Sequence, residues 1–183
     1  AGGPTTARAV AAVMGVEVEG AVLQKAVVHC GAEESVRQRR GRYTGIRSCT
    51  AANLHLGGNT LCRFGCLGYG DCVRACPFGA IEMVNGLPAV SFERCVACGK
   101  CVEACPRGLI TLEVVSNETN YAVRCRNPEA GRAVRQVCKV GCIGCRRCEK
   151  VCPVDAIKVV DNLARIDYEK CQGCGECAEA CPT

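Results

Sequence analysis

The 183-residue chain contains no tryptophan, and four tyrosines and three phenylalanines are its only aromatic residues. So few large apolar side chains cannot build an extensive hydrophobic core. No apolar run approaches the roughly 18 residues that a membrane-spanning helix needs, so the sequence predicts no such helix. Residues 1–6 lack the basic and apolar stretches of a signal peptide, and none is expected.

Motifs for nucleotides and for catalysis are also missing. No Gly-x-Gly-x-x-Gly follows a strand, and there is no Gly-x4-Gly-Lys-Ser/Thr, so we expect no bound nicotinamide, flavin or nucleotide. Haem attachment would need Cys-x-x-Cys-His, and the two histidines, His29 and His55, follow no such motif. No nucleophile lies in a recognisable pattern with a base, which predicts a chain without an active site of its own.

Cysteine is the abundant residue, at 20 of 183 positions. Secreted disulfide scaffolds are usually shorter and rarely repeat tight Cys-x-x-Cys-x-x-Cys triplets. Three sulfurs so close along the chain converge on one point and suit a metal cluster. The spacing therefore predicts metal binding in a reducing compartment.

The cysteines recur in an internal repeat of 76 residues that needs no gap. The first copies are Cys49, Cys62, Cys66, Cys72, Cys76, Cys95, Cys98, Cys101 and Cys105. Their counterparts are Cys125, Cys138, Cys142, Cys148, Cys152, Cys171, Cys174, Cys177 and Cys181. Two copies of one module are the simplest explanation.

Three stretches match Cys-x2-Cys-x2-Cys-x3-Cys-Pro, the ferredoxin signature for [4Fe–4S] clusters. In two-cluster ferredoxins the fourth cysteine binds the other cluster of the pair. Crossing the fourth ligands gives three sets: Cys95, Cys98 and Cys101 with Cys76; Cys142, Cys145 and Cys148 with Cys181; Cys171, Cys174 and Cys177 with Cys152. Four-cysteine zinc is the alternative, although zinc usually takes two distant Cys-x-x-Cys pairs.

A fourth set departs from the signature, because Tyr69 stands where Cys145 stands in the second copy. The three cysteines that remain in this set are Cys66, Cys72 and Cys105. We expect Cys62, four residues before Cys66, to complete it. Cys49 is the alternative ligand, and a three-iron cluster is the alternative cofactor.

Four cysteines are then left over: Cys30, Cys49, Cys125 and Cys138. Twenty cysteines divide into five cubanes, so we expect these four to bind a fifth [4Fe–4S] cluster. Such a site would tie the N-terminal segment to both modules. Four-cysteine zinc and buried free thiols remain the alternatives.

Each module reads as a small α+β unit. In the first, residues 80–84 and 87–92 are β-prone runs around Asn85-Gly86, which favours a type I′ hairpin turn. In the second, residues 156–160 and 163–167 repeat this pattern. Other expected elements are a hairpin of 109–115 with 121–125 and helical turns at 71–75 and 100–104.

The predicted fold is α+β, with two tandem ferredoxin-like 2[4Fe–4S] modules at 46–120 and 121–183. A small α/β segment at 1–45 precedes them, with a helix capped by Thr5 or Thr6 and stopped at Gly15, and a strand at 25–29. The second module stops before the counterpart of Leu109, so we expect its last strand to be missing.

The formal net charge of +5 treats every cysteine as neutral. An oxidised cluster with four thiolates carries about −2, so five clusters would bring the chain to about −5. A basic run precedes the first module, comprising Arg37, Arg39, Arg40, Arg42 and Arg47. It is either a solvated face or a docking surface for an acidic partner. Nucleic acid is not expected, because Tyr43 is its only aromatic neighbour.

Two cysteine loops carry a more specific resemblance. They are residues 62–81, Cys-Arg-Phe-Gly-Cys-Leu-Gly-Tyr-Gly-Asp-Cys-Val-Arg-Ala-Cys-Pro-Phe-Gly-Ala-Ile, and residues 137–145, Val-Cys-Lys-Val-Gly-Cys-Ile-Gly-Cys. Both resemble the B subunit of the Rnf complex, as does the opening Gly-Gly-Pro with Met-Gly-Val-Glu-Val at 14–18. That subunit begins with a membrane helix and one further four-cysteine cluster domain, so this chain looks like a soluble fragment of it.

The Rnf complex is a membrane ferredoxin:NAD oxidoreductase that couples electron flow to Na⁺ or H⁺ transport. The resemblance implies a multi-cluster relay on the cytoplasmic face of the cell membrane, which takes electrons from reduced ferredoxin and passes them to partner subunits. NAD reduction and ion transport would belong to other subunits. A free polyferredoxin, a ferredoxin-like subunit of a hydrogenase or another oxidoreductase, and a structural zinc protein are the alternatives.

Overall fold

A computed structural model describes residues 10–15, 24–114 and 121–183. The strands are β1 (Gln24–Val28), β2 (Ile81–Val84), β3 (Leu87–Val90), β4 (Ile110–Val114), β5 (Ile157–Val160) and β6 (Leu163–Ile166). The helices are α1 (Cys49–Leu54), α2 (Asp71–Ala75), α3 (Lys100–Glu103), α4 (Gly131–Val137), α5 (Arg147–Val151) and α6 (Glu176–Glu179). In these ranges no helix has the length and apolar character that crossing a bilayer requires.

Each module contains one β-hairpin. β2 pairs antiparallel with β3 around Asn85 and Gly86, whose φ angles are 49° and 77°. β5 pairs in the same way with β6 around Asp161 and Asn162, at 50° and 59°. A type I′ turn needs positive φ at both central residues, and both turns have it. The two predicted hairpins are confirmed.

The third sheet joins distant parts of the chain. β1 pairs antiparallel with β4, with Gln24 opposite Val114 and Val28 opposite Ile110. The predicted hairpin of 109–115 with 121–125 is therefore wrong, because β4 takes its partner from the N-terminal segment and 121–125 forms no strand. The tip of that hairpin, 115–120, lies outside the described residues. Pairing with β1 brings Ala26 and Ile110 into one buried cluster, which explains why β4 pairs with this distant strand.

The N-terminal segment is thus packed into the first module. The strand predicted at 25–29 is β1, one residue earlier than expected. Residues 10–14 are helical and Gly15 follows with a φ of 66°, but the predicted caps at Thr5 and Thr6 lie outside the described residues. The module boundaries at residues 45 and 120 remain predictions.

The buried apolar side chains are small and are mixed with cysteines. One cluster combines Ala26, Ile81 and Ile110 with cysteines of the first module. Another combines Ile157 and Val159 with cysteines of the second. The apolar side chains therefore form thin layers between groups of cysteines, and the cysteines hold the positions that a larger core would fill.

Candidate metal centres

All twenty cysteines are free thiols. The structure gathers most of them around cavities between the hairpins and the short helices. The third cysteine of each motif lies at the start of such a helix, in α2, α3, α5 or α6. The residue before each helix is left-handed, with φ between 60° and 86°. This shared turn ends each cysteine loop, and Arg146 adopts it where the other three copies have glycine.

The first cavity lies between α3 and the β2–β3 hairpin. The cysteines that line it are Cys76, Cys95, Cys98 and Cys101. This grouping brings the fourth cysteine of one motif to the first three of the next, as the crossed pattern predicts. Backbone amides face the sulfurs: Ala26 N donates to Cys95 Sγ at 3.5 Å and Ala80 N to Cys76 Sγ at 3.4 Å.

The second cavity groups the cysteines differently from one sequence prediction. The cysteines that line it are Cys49, Cys66, Cys72 and Cys105. The structure thus places Cys49 in the position that the sequence prediction gave to Cys62. Burial raises the pKa of Cys72, and the neighbouring sulfurs of Cys66, Cys49 and Cys105 raise it further, to about 12.

Asp71 explains why Cys49 reaches this cavity. Its carboxylate accepts hydrogen bonds from Cys49 N at 2.8 Å, Thr50 N at 3.0 Å and Ser48 Oγ at 2.9 Å. Burial opposes ionisation of Asp71, but these hydrogen bonds outweigh it and lower the carboxyl pKa. Asp71 is next to Cys72 in the chain. Its charged side chain therefore holds the start of α1, with Cys49, beside Cys72.

The third cavity lies between the two modules. The cysteines that line it are Cys30, Cys62, Cys125 and Cys138. The fifth set predicted from the sequence had Cys49 where the structure has Cys62, so the two cysteines exchange places between sets. Three parts of the chain supply the four sulfurs: the N-terminal segment, the loop after α1, and the start of the second module.

Two polar side chains hold this third cavity together. Asn127 is 1% exposed, and its Nδ2 lies 3.8 Å from Cys62 Sγ while its backbone N donates to Cys125 Sγ at 3.5 Å. His29 contacts Val123 O through Nδ1 at 2.8 Å and Thr111 Oγ1 through Nε2 at 2.6 Å. His29 thus links β4 to the second module. No motif in the sequence singled out either residue.

In the second module, one cavity has the predicted crossed set of Cys142, Cys145, Cys148 and Cys181 along its wall. Cys125 and Cys177 line the same cavity. The last set is gathered more loosely. Burial raises the pKa of Cys177, and the sulfurs of Cys171 and Cys174 raise it further. Cys152 packs in the same apolar cluster as Cys177. Ala156 N donates to Cys152 Sγ at 3.2 Å.

The sites form a continuous series. Cysteines of the first and second cavities pack in one cluster. Cys66 N, in the second cavity, donates to Cys30 Sγ, in the third, at 3.4 Å. Cys125 lines both the third cavity and that of the second module. Each site therefore borders the next along the molecule.

The donor set fits iron–sulfur clusters. Sulfur is the soft ligand that such clusters require, and backbone N–H groups point at several of the sulfurs. In the described part of the chain, no three His, Cys, Asp or Glu side chains are gathered closely enough to hold one metal ion. A zinc site with Zn–S bonds of about 2.3 Å would need sulfurs about 3.8 Å apart. Sulfurs spread around a cavity suit a cluster instead.

Burial makes bare thiolates costly at these sites. It raises the pKa of Cys66 to about 11 and, with neighbouring sulfurs, that of Cys72 to about 12. The pKa values of Cys62, Cys125 and Cys138 are raised as well, with burial as the largest cause. Four ionised sulfurs therefore need a cationic centre among them, and binding would release their protons.

Arg107 lies between the second and third cavities. Its guanidinium donates to Thr60 Oγ1 at 2.9 Å, Cys62 O at 3.1 Å and Gly65 O at 2.5 Å. It also donates to Asn53 Oδ1 and Gly57 O. Burial lowers its pKa, and the nearby sulfurs of Cys62 and Cys66 oppose that shift. One side chain thus holds the loop that carries Cys62.

Replacing Arg107 by alanine is expected to lower the free energy of unfolding by about 2–4 kcal/mol, because several buried acceptors lose a charged donor. Anaerobic denaturant titration of the iron-loaded protein, followed by circular dichroism, measures this. Arg132→Ala removes an exposed arginine of α4 and should change the value by less than about 0.5 kcal/mol. Equal effects of the two substitutions would contradict the role given to Arg107.

Comparison with known proteins supports 4Fe–4S clusters in this chain. Sequence profiles of 4Fe-4S dicluster domains match residues 94–156 and 141–183. A further 4Fe-4S dicluster profile matches residues 62–110. Together these matches span residues 62–183, so the chain contains ferredoxin-like 4Fe-4S dicluster domains.

Three relatives extend the match beyond the motifs. The B subunit of the ion-translocating oxidoreductase complex of Methanosarcina acetivorans is 41% identical over 99% of this chain and 68% of its own length. The B subunit of the Na⁺-translocating ferredoxin:NAD⁺ oxidoreductase complex of Acetobacterium woodii is 44% identical over 99% of this chain, which spans 54% of that protein. The proton-translocating counterpart of Clostridium ljungdahlii is 43% identical over 85% of this chain and 55% of its own length. The chain therefore belongs to the family of B subunits of ion-translocating oxidoreductase complexes, the Rnf family that its cysteine loops resemble.

Proposed function

We propose that this chain is an electron-transfer relay with five [4Fe–4S] sites in series. A cluster of this type takes up and gives back one electron at a time. The chain's own contribution is to hold the five sets of sulfurs next to one another, to donate backbone N–H groups to them and to exclude water from the most buried ones.

The third cavity is the observation that carries this proposal. Without it, the chain would be two separate dicluster modules joined by a linker. Its four cysteines come from both modules and the N-terminal segment, so a cluster bound there would bridge the first module and the second. The hydrogen bond from Cys66 N to Cys30 Sγ and the shared position of Cys125 support an unbroken series.

The relatives suggest where this relay operates. Two of them are named as subunits of ferredoxin:NAD⁺ oxidoreductase complexes, and this chain spans just over half of their length. We infer that the chain accepts electrons from reduced ferredoxin at the cytoplasmic face of the cell membrane and passes them to partner subunits. NAD reduction and ion transport would take place in those partners.

Reductive titration of the anaerobically reconstituted chain tests the relay. We expect a brown protein whose absorption near 400 nm is bleached by dithionite, with about five electrons taken up per chain. Reduced neighbouring clusters should give electron paramagnetic resonance signals that are broadened by mutual coupling. A colourless zinc protein, or five uncoupled signals, would contradict the proposal.

A further inference from the structure

We propose that an open cleft beside the second cavity is the docking surface for a small acidic protein that donates electrons. This inference rests on the proposed function, because it assumes a cluster in the set that contains Cys49. We call the surface the arginine cleft. Its main lining residues are Arg39, Arg40, Arg42, Tyr43, Arg47 and Tyr69.

Three of these arginines place positive charge on the surface of the cleft. Arg40, Arg42 and Arg47 are exposed, and in the described ranges none of them forms an ion pair. By contrast, Arg39 is paired with Glu34 at 2.6 Å. Exposed cations crowded without counter-ions repel one another, and an anionic partner would relieve that repulsion.

Two tyrosines line the same cleft, and two exposed leucines flank the neighbouring His55 in the chain. The ring of Tyr43 packs edge-on against Tyr69 at 5.7 Å and lies 6.0 Å from His55. Leu54 and Leu56, on either side of His55, are 83% and 81% exposed. Tyrosine and arginine are enriched in protein interfaces, and a polar surface interspersed with exposed apolar side chains is typical of them.

The cleft is continuous with the wall of the second cavity. Arg47 is two residues before Cys49, and Tyr69 lies in the loop between Cys66 and Cys72. Arg74 ties the two sides together, because its guanidinium donates to Tyr69 O at 3.0 Å and to Arg47 O at 3.4 Å. A partner docked in the cleft would therefore face the Cys49 set directly.

The reaction that this surface serves is a one-electron transfer. The partner is oxidised by one electron, the chain is reduced by the same electron, and no bond is formed or broken. The loaded chain would be negative overall, at about −5, since each bound cluster adds negative charge. An acidic partner would be repelled by most of the molecule and steered to the locally positive cleft.

An anionic membrane is the other surface that arginines and exposed leucines could meet. The structure favours a protein, because Arg74 joins both sides of the cleft beside the wall of the second cavity. The cleft also lies beside a cysteine set, and only a redox partner would exchange electrons with a cluster bound there.

Charge reversal in the cleft tests this. The triple variant R40E/R42E/R47E is compared with R132E/R135E/R165E, which makes the same change in charge at exposed arginines of the second module. The probe is an acidic 2[4Fe–4S] ferredoxin, reduced beforehand, and stopped-flow absorption gives the second-order rate constant. The cleft variant should be slower by about tenfold or more at low salt, and the control within about twofold. The difference should shrink at high salt, where exposed charges are screened.

Two further measurements separate the possible failures. Iron content and bleaching by dithionite report the clusters alone, so their loss from wild type would defeat the proposed function. If both variants keep their iron and react with ferredoxin equally fast, the docking proposal alone is wrong. The third outcome concerns phosphatidylglycerol vesicles. If only the cleft variant loses binding to them while its rate with ferredoxin is unchanged, the cleft binds a membrane and the proposal is overturned.

Discussion

Removing iron from the loaded chain under reducing conditions is expected to unfold it. The fully buried side chains offer little apolar area: the largest of them are Ile110, Val134, Asn127 and Thr60, and two of these are polar. Helices of four to seven residues are not stable alone, and within the described ranges each sheet has two strands. Without the metal, this packing cannot offset the entropy of ordering the chain.

Far-ultraviolet circular dichroism during chelation measures that effect. The signal of the loaded protein should fall to that of a largely unfolded chain, and iron with sulfide should restore it. Chelator added to a chain already without iron is the control for direct effects of the reagent. A native-like spectrum with a cooperative thermal transition in the iron-free chain would show that the metal does not hold the fold.

Pairs of cysteine substitutions should reveal which sulfurs share a site. Cys30 and Cys62 line one cavity, whereas Cys49 lines another. Alanine at any one of these positions should lower bound iron by about four atoms per chain, if an incomplete set loses its whole cluster. The double variant C30A/C62A should lose no more than a single variant, because both changes affect the same site.

The matched double variant C30A/C49A should lose about eight iron atoms, since it damages two separate cubane sites. Iron and sulfide analysis of the purified proteins gives both numbers. Should an incomplete set keep a three-iron cluster, its electron paramagnetic resonance signal counts the damaged sites in the same way. The reverse pattern, with the larger loss in C30A/C62A, would return Cys62 to the set of Cys66 and contradict the structure.

The local parts of this fold follow from the sequence, because neighbours in the chain determine them. Asn85-Gly86 favours a type I′ turn on its own backbone preferences, and the predicted hairpin is present. The helix predicted at 71–75 is also present, after a left-handed Gly70. Three cysteines in one tight loop have little freedom to face different sites.

The parts in which the structure differs from the sequence prediction depend on contacts between distant residues. Closeness in sequence favoured Cys62 as the partner of Cys66, but the capping of α1 by Asp71 brings Cys49 there instead. The strand partner of β4 was missed for a similar reason, since β1 precedes it by more than 80 residues. The role of Arg107 was equally invisible, because its acceptors are mostly backbone carbonyls that no motif records.

Diffraction from anaerobic crystals at the iron absorption edge tests the central claim most directly. We predict five cubane-sized anomalous peaks, one in each set of four cysteines. One peak should be bounded by Cys30, Cys62, Cys125 and Cys138, and another by Cys49, Cys66, Cys72 and Cys105. Four peaks, with the sulfurs of the third cavity unligated, would contradict the account of one continuous relay.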